Sequence, residues 1–242
     1  MKYYGLTDIG KRRATNQDYF KIEQVGSCLI ATVCDGMGGA NGGSYASENA
    51  CNIFMSENEN SLADVTDIDS IPKILHKSID KANSYIYKTS LKDKSLSGMG
   101  TTIVSSVIID NCLFTLNIGD SSIYHFDGEK IKKLTKDHSY VQALLDAGDI
   151  SAEEFKHHPS KHILTRVLGV EQNVDADITM YPINSGQLLM CSDGFSNYLD
   201  SERYLKKTLT SNKSIEEKTR LLIDYANKKG GVDNITVVLI EF

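Results

Sequence analysis

The sequence predicts an α+β fold, a central β-sandwich of two mostly antiparallel sheets flanked by helices. Three observations lead there. Strand-like runs between residues 101 and 126 follow one another through short turns, which implies antiparallel pairing. The helix-like segments are grouped, with no strict alternation of strand and helix. The Asp127-Gly128 pair, set between two strand-like stretches, is the strongest short hairpin signal in the chain.

Taken in order, Cys28-Leu29-Ile30-Ala31-Thr32-Val33-Cys34 is a short apolar run stopped by Asp35-Gly36, and reads as a buried strand. Gly38, Gly39, Gly42 and Gly43 predict a loop. A helix is expected over 44–55, with Ser44 as its N-cap. Residues 57–70 are polar and acidic and read as a surface loop. Ile71, Ile74, Leu75, Ile79, Ala82 and Ile86 recur at helical spacing, giving a second helix one apolar face, with Pro72 in its first turn. The β-branched runs 101–109 and 113–118 are strands, the second ending at Gly119-Asp120. Segments 122–126 and 130–134 flank the hairpin turn. Residues 139–168 read as short helices and loops. Leu188-Leu189-Met190-Cys191 is a strand ending at Ser192-Asp193-Gly194. Residues 215–228 are helical, and 235–242 form a last strand. No low-complexity segment or clean linker interrupts the chain, so residues 1–242 are expected to be a single domain.

Composition excludes several classes. Hydrophobic residues make up 40%, charged residues 24%, and there are 3 prolines among 242 residues, which is globular usage. The formal net charge of -6 argues against nucleic acid as partner. Cysteines number 5, an odd count with no CxxC pair, so neither a disulfide framework nor a structural zinc site is expected. The first residues hold no signal-peptide core. No apolar run approaches the ~20 residues that span a bilayer. A cytoplasmic protein without membrane insertion is expected.

One pattern repeats at the ends of the strands. Each runs into an acid at or beside a glycine: Cys34-Asp35-Gly36, Gly119-Asp120 and Ser192-Asp193-Gly194, with Asp233 opening the last strand. Single acids beside glycine are ordinary turn residues; four at strand ends raise the prospect of one site. If they converge, like charges at close range cannot all stay ionised without a cation. A set of Asp oxygens, without evident His or Cys partners, suits Mg2+ or Mn2+. Two such ions bridged by a water would lower its pKa and clamp an in-line displacement at a phosphate ester. Rival chemistries are weaker. Ser192-Asp193-Gly194 is not a G-x-S-x-G elbow, the glycines at 36–43 lack the lysine of a P-loop, and His157, His158 and His162 read as surface histidines.

At these residues the chain resembles the metal-dependent protein phosphatases (PPM, the type 2C serine/threonine phosphatases) in their compact bacterial form. The likeness runs from about Gly5 onward and keeps motif order. It comprises Gly10-Lys11-Arg12-Arg13-Ala14-Thr15-Asn16-Gln17-Asp18, Cys34-Asp35-Gly36-Met37-Gly38-Gly39, Gly98-Met99-Gly100-Thr101-Thr102, Asn117-Ile118-Gly119-Asp120-Ser121, Leu134-Thr135-Lys136-Asp137-His138-Ser139, Leu164-Thr165-Arg166-Val167-Leu168-Gly169, Cys191-Ser192-Asp193-Gly194 and Asp233-Asn234-Ile235-Thr236.

The resemblance implies roles. Asp35 would bridge two central Mn2+ or Mg2+ ions, with the Gly36 carbonyl completing one shell. Asp193 and Asp233 would hold one of these ions, and Asp120 with Asp193 a third, weaker one. Asp18 would orient the attacking water, Arg13 would bind the substrate phosphate, and Asn234 and Gln17 would support the ligands from behind. A small flap is expected near 139–165. Phosphorylated proteins would be substrates, a Ser/Thr kinase among them, and a monomer is expected. Two departures stand out. Gln17 replaces the usual Glu and removes a charge. Met37 stands where many eukaryotic members carry a histidine proposed as general acid, which leaves the proton donor open. The competing reading is a catalytically weak regulator of the same fold that binds phosphoproteins. The retained Asp35, Asp193 and Asp233 argue against it.

Overall fold

The computed structural model describes residues 1–199 and 202–242, with Ala40 described by its backbone alone. Two antiparallel sheets dominate the described residues. The first runs in the order β1 (Lys2–Asp8), β11 (Ile235–Glu241), β10 (Gln187–Cys191), β7 (Ser122–Phe126) and β8 (Ile131–Lys133). The second runs β2 (Asp18–Val25), β3 (Cys28–Met37), β5 (Ile103–Ile109), β6 (Cys112–Ile118) and β9 (Asp177–Pro182), with the short β4 (Gly100–Thr101) paired to the end of β3. Helices α1 (Gly39–Leu62) and α2 (Ile71–Lys92) cover the second sheet. Helices α6 (Glu202–Leu209) and α7 (Ile215–Lys229) cover the first.

Strand periodicity explains the layering. In β3, Leu29, Ala31 and Val33 enter a core between the sheets, while Cys28, Ile30 and Cys34 enter the core beneath α1 and α2. In β11, Val238 and Ile240 face the inter-sheet core, and Val237 and Leu239 pack toward α6 and α7. Successive side chains on a strand point to opposite faces. Strands buried on both faces therefore read as continuous apolar runs, the signal that revealed them. The expected α+β sandwich with outer helices is the architecture observed.

The helix bounds differ from the reading in one instructive way. The first helix starts at Gly39, not Ser44, and runs on to Leu62 through part of the stretch read as loop. Gly42 and Gly43 thus lie inside it. They serve close approach: a Cβ on Gly43 would sit 2.8 Å from the Gln17 side chain and from the Gly36 carbonyl oxygen. Past Met55, buried Asn58 and Leu62 keep the helix against the core, so packing overrides a polar composition.

Helix α2 also anchors a loop. Buried Asn83 accepts from the Gly169 amide at 2.7 Å and donates to the carbonyls of Glu171 and Gln172 at 3.0 and 3.1 Å. Asn83→Ala strands these groups and is expected to lower the unfolding free energy by about 2 kcal/mol in urea melts. A loss below about 0.5 kcal/mol would show that water replaces the amide at no net cost.

Between β8 and β9 the chain makes an excursion containing α3 (Tyr140–Ala147) and α4 (Ala152–His157). Its two ends are stitched together by a bridge between Ser139 and Leu164, and by the Tyr140 amide on the Ile163 carbonyl at 2.8 Å. This is the expected flap. Among the described residues, no helix is long and apolar enough to cross a membrane.

Candidate active site

The strand ends meet at one cavity of about 810 Å³. Asp35, Gly36, Asp120, Asp193 and Asp233 line it together with Arg13 and Gln17. The sequence-predicted acids are brought to one place. Asp18 stands behind them, opposite Asp35 in the β2–β3 register, and Asn234 lies buried next to Asp233.

Each acid is held by its backbone. The Asp35 amide donates to Thr102 Oγ1 at 3.0 Å, and its carbonyl accepts from the Thr102 amide at 2.8 Å and from Thr101 Oγ1 at 2.9 Å. Gly36 is wedged in place: a Cβ there would lie 2.1 Å from the Gly43 carbonyl oxygen. Asp120 follows Gly119, whose φ of +106° favours glycine and whose Cα faces the Thr102 side chain. Asp193 opens the one-turn helix α5 (Asp193–Ser196), and its Oδ2 accepts from Asn197 at 3.1 Å. The Asp233 Oδ1 accepts from the Asn234 amide at 2.8 Å.

Asn234 ties the first motif to the last strand. Its side chain donates to the carbonyls of Ile9 and Thr15, each at 3.0 Å, and accepts from the Gln17 amide at 2.9 Å. That loop carries Arg13, whose Nη2 donates to Asp233 Oδ2 at 2.7 Å. The guanidinium therefore sits against a carboxylate that the resemblance assigns to a metal. Gln17 donates from Nε2 to the Gly39 carbonyl at 2.7 Å and so braces the start of α1.

Asp18 Oδ2 accepts from Ser192 Oγ and Thr236 Oγ1, both at 2.7 Å. Thr102, Ser192 and Thr236 were not singled out from the sequence. The cue available was their place beside acids inside the quoted motifs. His162 also lines the cavity, whereas His157 pairs with Glu153 on the surface of α4.

Electrostatics opposes the charged state of the acids. Burial, and then repulsion by Asp18, Asp193, Asp120 and Asp233, pushes Asp35 well above the usual carboxylate range. Burial and the Asp193 charge do the same to Asp120. Burial raises Asp18 to about 7 against its two hydroxyl donors, and burial with Asp233 raises Asp193 to about 6. The bond to Asp233 raises the pKa of Arg13.

Among the described residues, no three carboxylate, His or Cys side chains are gathered into a ready-made grip on an ion. The donor set nonetheless fits hard cations. It consists of oxygens, its members repel one another, and buried Asp18 Oδ1 and Asp193 Oδ1 have no hydrogen-bond partner. Chemically, such a site can gather divalent cations and present a phosphate to Arg13.

Comparison with known proteins agrees. The family model described as protein phosphatase 2C matches residues 10–228. The serine/threonine phosphatase stp of Listeria monocytogenes serotype 4b (strain F2365) is 38% identical over 237 residues, covering 97% of this chain and 93% of the relative. The crystal structure of the serine/threonine phosphatase Stp1 from Staphylococcus aureus superposes with a TM-score of 0.91 at 28% identity, covering 100% of this chain and 94% of that one. The catalytic domain of the serine threonine protein phosphatase PstP, solved in complex with 2 manganese ions, superposes with a TM-score of 0.84 at 29% identity, covering 99% and 97%.

Proposed function

The chain belongs to the protein phosphatase 2C family, a hydrolase of phosphoproteins, and from that membership we propose that it removes phosphate from phosphoserine and phosphothreonine at a dinuclear Mn2+ or Mg2+ centre. The observation that carries the proposal is the ring of aspartates with Arg13 around one cavity, in which Asp193 Oδ1, like Oδ1 of Asp18 behind the ring, is buried without a partner.

When bound, the ions supply the acidity that makes a nucleophile of water near neutral pH, and charge that stabilises the transferring phosphoryl group. Asp35, with the Gly36 carbonyl beside it, would help hold the central ions; Asp193 and Asp233 would hold one of them, and Asp120 with Asp193 would hold a third, weaker one. Asp18, fixed through Oδ2 by Ser192 and Thr236, keeps Oδ1 free to orient the attacking water. Arg13 receives the phosphate, because a planar guanidinium fork matches phosphate oxygens. Asn234 holds the Arg13 loop in place, and Gln17 braces α1. The enzyme acts as a cytoplasmic monomer on phosphoproteins, a Ser/Thr kinase among them.

The test is hydrolysis of a phosphothreonine peptide and an aryl phosphate, with and without Mn2+, against a chelator control. Turnover that depends on the cation is expected; undiminished turnover after exhaustive chelation would remove the metal mechanism.

Arg13→Ala is expected to lower kcat/KM about 30-fold, the loss of a charge-assisted hydrogen bond of about 2 kcal/mol. Calorimetric affinity for Mn2+ should not fall, because Arg13 is no ligand and its removal frees Asp233 from its ion pair. Arg13→Lys should recover part, since an ammonium keeps the charge and loses the fork. Exposed Arg12 is the control, and equal defects at both positions would place the phosphate elsewhere.

A further inference from the structure

One part of the cavity wall offers nothing to phosphate. Met37, Ile163, Leu164, Val167 and Val170 line it beside the aspartates. Met37, Ile163 and Val170 are 39%, 46% and 45% exposed. A single exposed aliphatic residue is ordinary, but an apolar cluster on one rim marks a binding surface. The volume of about 810 Å³ falls in the range that encloses a drug-sized ligand, so there is room for more than a phosphate group.

The wall is built on two segments held independently. Leu168 and Thr101 exchange backbone hydrogen bonds of 2.9 and 3.1 Å. Asn83 secures Gly169, Glu171 and Gln172. Gly169 lies so close to Ile86 that a Cβ would meet its side chain at 2.2 Å. Val167 and Val170 are thereby fixed to α2 and β4. On the other side, the Ser139–Leu164 bridge and the Tyr140–Ile163 hydrogen bond hold the base of the flap. Preorganised apolar groups of this kind confer specificity because little ordering is left to do on binding.

We infer that this wall is a specificity subsite, which packs an aliphatic side chain flanking the phosphorylated serine or threonine against Met37, Ile163, Val167 and Val170. The inference rests on the phosphatase reading of the same cavity. Met37 thereby contributes contact surface to the substrate.

The experiment compares matched phosphothreonine peptides with leucine or glycine beside the phosphoresidue, in Mn2+. The leucine peptide is expected to show about tenfold higher kcat/KM, the discrimination that a small apolar pocket supplies, expressed mainly in KM. Val170→Ser and Ile163→Ser, which remove apolar contact without adding charge beside the phosphate, should abolish the preference by lowering kcat/KM for the leucine peptide toward that of the glycine peptide. Equal kcat/KM for the two peptides in the wild-type enzyme overturns the subsite and leaves the phosphatase reading intact. A preference that survives both substitutions also overturns it. Failure to hydrolyse either peptide overturns the phosphatase reading, and the subsite with it.

Discussion

Asp193→Asn and Asp233→Asn are each expected to lower kcat by about 100-fold or more at saturating Mn2+, equivalent to about 2.7 kcal/mol of lost transition-state stabilisation. Both positions open onto the cavity, and both are assigned to the same central ion. An amide keeps the shape of the carboxylate and one oxygen but loses the charge that offsets a divalent cation. Stability should move the other way. Burial and the neighbouring Asp233 charge raise the pKa of Asp193 to about 6, above its ordinary 3.8. Its charged form therefore costs the metal-free fold stability at pH 7.5, a cost that shrinks as pH falls below about 6 and is gone below the ordinary 3.8. Metal-free Asp193→Asn should consequently melt at the wild-type temperature or higher. Asp120→Asn, assigned to the weaker third position, should leave calorimetric binding of the central pair in place. Near-normal kcat at saturating metal in either the Asp193 or the Asp233 variant would take that residue out of the site.

Gly194→Ala is expected to be comparably damaging without altering any charge. A Cβ at Gly194 would stand 1.9 Å from the Asn234 carbonyl oxygen and 3.3 Å from the Cβ of Asp233. The obstacle at 1.9 Å is backbone, so no side chain can swing aside. The turn after β10 and the start of β11 must separate, and the two acids assigned to one ion separate with them. Misplacing catalytic groups by about 1 Å costs on the order of 100-fold in rate, and overpacking a close contact costs about 1–3 kcal/mol in stability. Circular dichroism melts, Mn2+ calorimetry and kcat on a phosphopeptide measure the three effects. A folded variant with wild-type metal affinity would show that the turn has slack.

The hairpin of β7 and β8 was legible from its Asp127-Gly128 turn and α2 from its apolar face; the strands legible as apolar runs are those buried on two faces. β3, β5, β6, β10 and β11 announce themselves as apolar runs because both sides of each strand meet a core. β1 and β2 were passed over. Each has one free edge, and their residues are largely half-buried, with Lys21 and Glu23 paired on the surface of β2. β9, whose side chains are mostly exposed, and the highly charged α6 escaped for the same reason. The first turns of α1 were misread because glycine there answers a close approach to Gln17 and Gly36, a tertiary demand with no local signature. In the site, Asp35, Asp120 and Asp193 stood out because strands ran into them, and Asp233 because it opens the last one. Asp18 begins a strand that was not recognised, and its role came from family resemblance alone. The ion pair between Arg13 and Asp233 joins residues 220 positions apart, which no periodicity can report.

The placement of β11 has a consequence for how the protein comes into being. This strand, near the C-terminus, lies between β1 and β10, pairing Lys2 with Glu241 on one side and Cys191 with Val237 on the other. Until it arrives, β1 has no partner in its sheet, and Asn234 cannot pin the Arg13 loop. Such long-range closure delays folding relative to local contacts. A chain still emerging from the ribosome therefore carries Asp35, Asp120 and Asp193 with neither Asp233 nor the final strand. The cavity lined by all four aspartates therefore forms only after Asp233 and β11 have been synthesised.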